Sequence, residues 1–230
     1  MKVLHKTVIV VATVSLLLLL FYLSVMPIAM SKWFYMMNYE NYQADDATGY
    51  SMEELSEITD IMLDYLKDKR DSMQHEINGK EVYSEQAIIH MEDVKVLFVG
   101  ARRLAWFVLA LFIASIIYIV YYFKELKGYL MRTVITASAV AIGLVVMAGA
   151  FAAVNFDVAF VWFHKVIFPN QEKFENAFFD PDDFLINMLQ GELFFNFAIV
   201  IIVTFIILIA IVVAGLYFFQ KKYIDRVYEN

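Results

Sequence analysis

Four stretches of this chain, Thr7–Met30, Leu104–Phe123, Thr133–Val154 and Phe194–Phe219, contain no Asp, Glu, Lys, Arg or His. They run to 24, 20, 22 and 26 residues, and about 20 apolar residues in a helix rising ~1.5 Å each are enough to cross a hydrocarbon core of ~30 Å. Each block is therefore long enough to span a bilayer by itself. Composition agrees: 61% of the 230 residues are hydrophobic and 19% charged, against roughly 45–50% and 25% in soluble domains. The expected fold is an all-α integral membrane protein with four transmembrane helices. The first block follows Lys2 and Lys6 but exceeds the ~7–15 apolar residues of a signal-peptide core, with no clean cleavage site after it. It reads as an uncleaved anchor with Pro27 near its end.

Charge sorts the polar segments into two sides. The N-terminal tail, the link Lys124–Arg132 and the C-terminal tail together carry 8 basic and 3 acidic residues. The segments Ser31–Arg103 and Asn155–Leu193 carry 10 basic and 22 acidic ones. Basic residues near span ends stay in the cytoplasm, so both termini and the short link are expected there, and the two long segments form a helical extracytoplasmic domain. The expected organisation is residues 1–30 (tail and first span), 31–103 (first extracytoplasmic segment), 104–154 (second and third spans with their link), 155–193 (second extracytoplasmic segment) and 194–230 (fourth span and tail).

In the first polar segment, Ser51 and Glu54 have the spacing of a capping box. Leu55, Ile58, Met62, Tyr65 and Leu66 then recur at helical spacing, which predicts an amphipathic helix to about Gln74. Asn78-Gly79 marks a turn. Ser84 is a candidate N-cap, and with no Gly or Pro before Gly100 the helix it opens is expected to continue into the second span. In the other segment, Phe156–Phe168 is apolar except for Asp157, His164 and Lys165, a pattern suited to a helix lying in the membrane interface. Pro169 divides it from the acidic stretch that follows, and Phe160, Trp162, Phe163, Phe168, Phe174, Phe178 and Phe179 crowd the region as an interfacial aromatic belt would.

Several chemistries are excluded. The chain has no cysteine, so there is no disulfide framework, thiolate zinc site or thiol nucleophile. A net charge of -7 disfavours nucleic acid as a partner. No nucleophile elbow, phosphate loop or dinucleotide fingerprint occurs. Asp180, Asp182 and Asp183 flank Pro181 in a turn-like phrase. Arg102 and Arg103, at the start of the second span, are candidates for holding a lipid phosphate or anionic peptide group, or for pairing with the acidic segments.

Of four histidines, His5 falls in a tail and His75 at the expected end of a polar helix. His90 and His164 both lie near span ends on the extracytoplasmic side, with Asp93 three residues after the one and Asp157 seven before the other, spacings that put side chains on one helix face. A carboxylate so placed can orient an imidazole and raise its basicity. The ordinary reading is an amphipathic ring that caps or pairs at the interface. A metal set of His90, Asp93, His164 and one of Asp180, Asp182 or Asp183 is a further alternative, without a metal motif to carry it.

The phrases His90-Met91-Glu92-Asp93-Val94-Lys95 before the second span, Trp162-Phe163-His164-Lys165-Val166-Ile167-Phe168, Phe179-Asp180-Pro181 and Asp183-Phe184-Leu185-Ile186, in this order within four spans, resemble the bacterial lipoprotein intramolecular transacylases over essentially the whole chain. The resemblance implies an acyltransferase acting on diacylglyceryl-modified bacterial lipoproteins among the membrane lipids. It would move the sn-2 acyl chain to the α-amine of the N-terminal cysteine, with no cofactor and no metal. It puts the catalytic pair on His90 and His164; the residues themselves suggest Asp93, Asp157 and Asp183 in supporting roles and Arg102 and Arg103 toward substrate.

Overall fold

The computed structural model describes residues 2–168, 180 and 182–228. Their order is α1 (Val3–Ala29), α2 (Lys32–Asn41), α3 (Ala44–Thr48), α4 (Met52–Leu66), β1 (Glu76–Ile77), β2 (Lys80–Glu81), α5 (Glu85–Tyr121), α6 (Phe123–Val154), α7 (Phe156–Ile167), α8 (Phe184–Met188) and α9 (Gly191–Tyr228). Pro169, Phe174, Phe178, Phe179 and Pro181 lie outside the described residues. The helices α1, α5, α6 and α9 are long and apolar enough to cross a membrane, one for each apolar block. Among the described residues the remaining regular structure is helical apart from the short hairpin of β1 and β2.

The chain divides into two compact units. One comprises Met1–Val25, Arg103–Gly149 and Val200–Asn230. It is a bundle of the apolar blocks, with one core of Ile9, Ala12, Ile119, Leu126, Leu130 and Val134 and another of Leu20, Phe205 and Ile209. Gly149 lets α6 approach α9 closely: a Cβ there would fall 2.5 Å from the Ile202 Cδ1. Ile117, Leu144, Ile211 and Phe218 turn outward and are exposed, as helices facing lipid require, since acyl chains are as apolar as leucine. His5 corrects the expectation of a tail residue. The helix already begins at Val3, and the His5 ring is buried, with its Nδ1 2.9 Å from the Tyr118 hydroxyl and the Tyr122 ring beside it.

The second unit comprises Met26–Arg102 and Ala150–Ile199. The Ser51–Glu54 capping box closes as expected, with both reciprocal bonds made. The face of α4 bearing Leu55, Ile58, Met62, Tyr65 and Leu66 is buried and packs on α2 and α3. Two buried polar groups are answered within this unit: Asn196 Nδ2 donates to Asn38 Oδ1 (2.6 Å), and Asn38 donates to the Phe34 carbonyl. The hairpin turn has Asn78 at φ 53° and Gly79 at φ 75°, the left-handed pair that suits Asn-Gly in a two-residue hairpin.

The helix α4 ends at Leu66, eight residues before the expected Gln74. It closes locally: Asp68 N donates to the Tyr65 carbonyl (3.0 Å) and Lys69 N to the Asp64 carbonyl (2.9 Å), around Asp68 in the left-handed region at φ 63°, the usual closing arrangement of a helix C-terminus. The cationic face of α5 meets this end: Lys95 Nζ reaches Asp68 Oδ1 (3.0 Å) and the Arg70 carbonyl (2.8 Å), and Arg102 Nη1 donates to the Lys67 carbonyl (3.2 Å). His75 consequently follows a loop rather than ending a helix, and its Nε2 sits 3.3 Å from Glu57.

Candidate active site

Within the second unit His90 and His164 meet. Ser84 opens α5, its Oγ accepting from the Ala87 N–H (3.0 Å), and Ala87 and Met91 bury one face of the helix. This directs His90, in the second turn, away from the core. Asn155 opens α7 by accepting from the Val158 N–H. Phe156, Phe160 and His164 then follow at intervals of four on one helix face. The His90 and His164 rings stack at 5.9 Å with their planes 27° apart. Phe168 lies against both, at 5.3 and 5.7 Å, and Phe160 closes on His164 at 4.0 Å. Phe160 in turn meets Phe194 of α9.

Two imidazoles in such contact cannot both be charged at low cost. His90 lies outside the apolar part of α5, which begins at Leu104. Burial first, and then the neighbouring His164, push its pKa down to about 4, with Asp93 acting in the opposite sense. His164 is also held below the ordinary imidazole value by burial, offset in part by its hydrogen bond to the Phe160 carbonyl. Both rings are therefore neutral near pH 7. The bond from His164 Nδ1 to the Phe160 oxygen is 2.8 Å long. A carbonyl only accepts, so Nδ1 carries the proton and the lone pair of the neutral ring is on Nε2.

The other expected residues are distributed unevenly. Asp93 is half-buried beside His90 and acts on it electrostatically. Asp157 is exposed, and among the described residues no hydrogen bond or ion pair joins it to His164: seven residues bring it to the same helix side but two turns away. Asp183 caps α8 through the Leu185 N–H (2.8 Å) and accepts from Ser84 Oγ (2.6 Å). Arg102 serves the end of α4, while Arg103 is exposed. Among the described residues no three of His, Asp and Glu converge closely enough to hold a metal ion, so the suggested N/O ligand set is not assembled. Sequence reasoning missed the aromatic walls as part of the site. The available signal was Phe156, Phe160 and His164 at one helical interval, of which Phe160, like Phe168, was read as part of a membrane belt.

Four helices long and apolar enough to cross a membrane and a stacked histidine pair walled by phenylalanine describe a nearly all-helical integral membrane protein with a candidate site at the pair. The family model described as lipoprotein intramolecular transacylase Lit matches residues 10–195. The chain belongs to that family, and is thereby an acyltransferase. Its fold is similar to the membrane-integral lipoprotein intramolecular transacylase Lit from Bacillus cereus, with a TM-score of 0.80 and 23% identity over 97% of this chain and 98% of that one. Structures of the Bacillus cereus protein with a histidine replaced by arginine or by alanine match at TM-scores of 0.75 and 0.74, each at 22% identity. They cover 96% and 95% of this chain, and 95% and 96% of theirs. No curated protein matches the chain in sequence.

Proposed function

We propose that this chain moves the sn-2 acyl chain of an S-diacylglyceryl lipoprotein to the α-amine of its N-terminal cysteine, leaving an N-acyl, S-monoacylglyceryl lyso-lipoprotein. The observation that carries this reading is the His90–His164 pair, brought to 5.9 Å from positions 74 residues apart and neutral at physiological pH. The amine nitrogen attacks the ester carbonyl carbon. A C–N bond forms, the bond from that carbon to the glyceryl oxygen breaks, the amine gives up a proton and the oxygen takes one. Amine and ester belong to one molecule, and holding them in register lowers the barrier by up to ~7–11 kcal/mol in ideal cases. Ester to amide transfer is downhill, so no energy source is required.

What remains is to move the proton. An α-amine has a pKa near ~7.7–8 and must be neutral to attack, and a neutral imidazole with an available lone pair is a suitable acceptor that can return the proton to the glyceryl oxygen. One ring of the pair takes the amine proton and the other serves the oxygen, with Asp93 supporting the positive charge that develops on His90. Arg103 meets the lipid phosphate or anionic peptide at the start of the span.

The charge distribution supports an extracytoplasmic site in the cell membrane, with both termini in the cytoplasm. The amphipathic helix α7, with Val158, Trp162 and Val166 exposed and apolar, suits the interface at which an acyl ester would lie.

The test is mass spectrometry of the N-terminal lipopeptide of an abundant lipoprotein from a diacylglyceryl-producing host, with and without this chain. An unchanged acyl count with one chain moved from glycerol to nitrogen is expected. A diacylglyceryl N-terminus left unaltered by the folded, expressed protein would remove the reading, and leave a lipid- or peptide-binding protein in its place.

A further inference from the structure

We propose that Ser84 is a positioning residue for the acyl transfer above, on which this inference rests: its hydroxyl and the Asp183 carboxylate form a latch that sets where α5, and so His90, stands. The two residues are 99 apart in sequence, and Ser84 Oγ donates to Asp183 Oδ2 at 2.6 Å, the short separation of a hydroxyl bonded to an ionised carboxylate. Each also holds a helix start. Ser84 Oγ accepts from Ala87 N, the first turn of α5, and Asp183 Oδ1 accepts from Leu185 N, the first turn of α8.

The carboxylate is fixed before it is used. Its backbone N–H donates to the Asp180 carbonyl (2.8 Å), and its own carbonyl accepts from both the N–H and the Nδ2 of Asn187. The helix it caps is in turn anchored, with Leu185 and Met188 buried and the Tyr42 hydroxyl donating to the Met188 carbonyl (2.8 Å). Phe184 meets the rings of Tyr50 and Tyr83, the second of these adjacent to Ser84. The start of α5 is thus tied to a rigid element, and His90 follows six residues later, less than two turns along a continuous helix. The latch joins the segment that opens α5 to the one that opens α8.

Two separate N-caps would account for the cap bonds but not for the bond between them, and this difference can be tested. In the full-length protein acting on a diacylglyceryl lipopeptide in proteoliposomes, Ser84→Ala and Asp183→Ala should each lower the rate of N-acyl product formation roughly tenfold, since small displacements of a reacting group are costly. The double variant should be no slower than either single. Ser84→Asp keeps a good N-cap for α5 but sets a second carboxylate against Asp183. It should lose about as much activity as Ser84→Ala with an unchanged melting temperature, and Asp183→Asn, which supplies an amide donor to the new carboxylate, should restore the rate. Multiplying losses in the double variant, a fully active Ser84→Asp, or no rescue by Asp183→Asn would overturn the latch. The histidine ring resonances of the labelled protein provide a readout independent of turnover. Those of His90 should shift in Ser84→Asp and return in the rescued double, and would decide for or against the latch even if the wild-type chain moved no acyl group, the result that removes the proposed function.

Discussion

The helices α4 and α7 carry the same kind of sequence signal and meet opposite fates. Both are amphipathic and both begin at a side-chain cap, Ser51 for one and Asn155 for the other. Eight side chains of α4 are buried, from Leu55 to Leu66, whereas α7 has no buried residue at all. The apolar stripe of α4 is settled by a protein core, while the outward face of α7, with Val158, Trp162 and Val166 exposed, is of the kind that lipid can cover. The half-buried inward face of α7 is then available for something other than stability, and it is where His164 and its phenylalanine wall stand.

The contrast is sharpest in activity. His164→Ala or His90→Ala should lower the yield of N-acyl lipoprotein by roughly 10²–10⁴-fold, the usual worth of a positioned acid/base group, with the melting temperature near that of the parent. Full activity in both variants would end the assignment of the pair. The next effect belongs to α4. Ile58 is fully buried, so Ile58→Ala should cost about 2–5 kcal/mol in stability, while Trp162→Ala on the exposed face of α7 should change it by no more than about 0.5 kcal/mol. Denaturation of the two variants in the same detergent makes the comparison, and equal losses would mean that α7 is packed like α4.

A smaller effect follows from the inward face. Unfolded histidine titrates near ~6.5, while burial and His164 hold folded His90 at about 4. Above pH ~6.5 both states are neutral and the stability is complete. As pH falls from there toward 4, the unfolded chain takes up a proton that the folded one resists, and up to about 3 kcal/mol is lost. Melting curves from pH 7.5 to 4.5 should show this slope in the parent and a flatter one in His90→Gln; parallel curves would contradict a buried neutral ring. Least of all, Asp157→Asn should alter both stability and rate little, within about 0.5 kcal/mol, because its carboxylate is exposed. A loss comparable to that of His164→Ala would restore it to the site.

Local signals were legible in the sequence where a few adjacent residues complete a structure. The capping box of Ser51 and Glu54, the Asn78-Gly79 turn, the Ser84 cap and the unbroken run from Glu85 into the second span are all of this kind, and the structure has each of them. The end of α4 was not legible, because no glycine or proline marks the left-handed turn that Asp68 makes at φ 63°, and Lys95 and Arg102, which bond to this end, come from a helix some thirty residues further on. His5 was read as a tail residue for the same reason, since its partner Tyr118 is 113 residues away.

By itself, the sequence determined the four membrane-crossing helices, because uncharged apolar runs of 20 to 26 residues have no other stable solution in a chain of this length. It also determined the caps and turns, whose hydrogen bonds close within three or four residues. Only the tertiary structure decided that His90 and His164 stack, that Phe160 and Phe168 wall them, and that Ser84 reaches Asp183. Those contacts join segments 74 to 99 residues apart or turn on which face of a helix is covered. Such geometry comes from the packing of whole elements, and no local residue pattern encodes it.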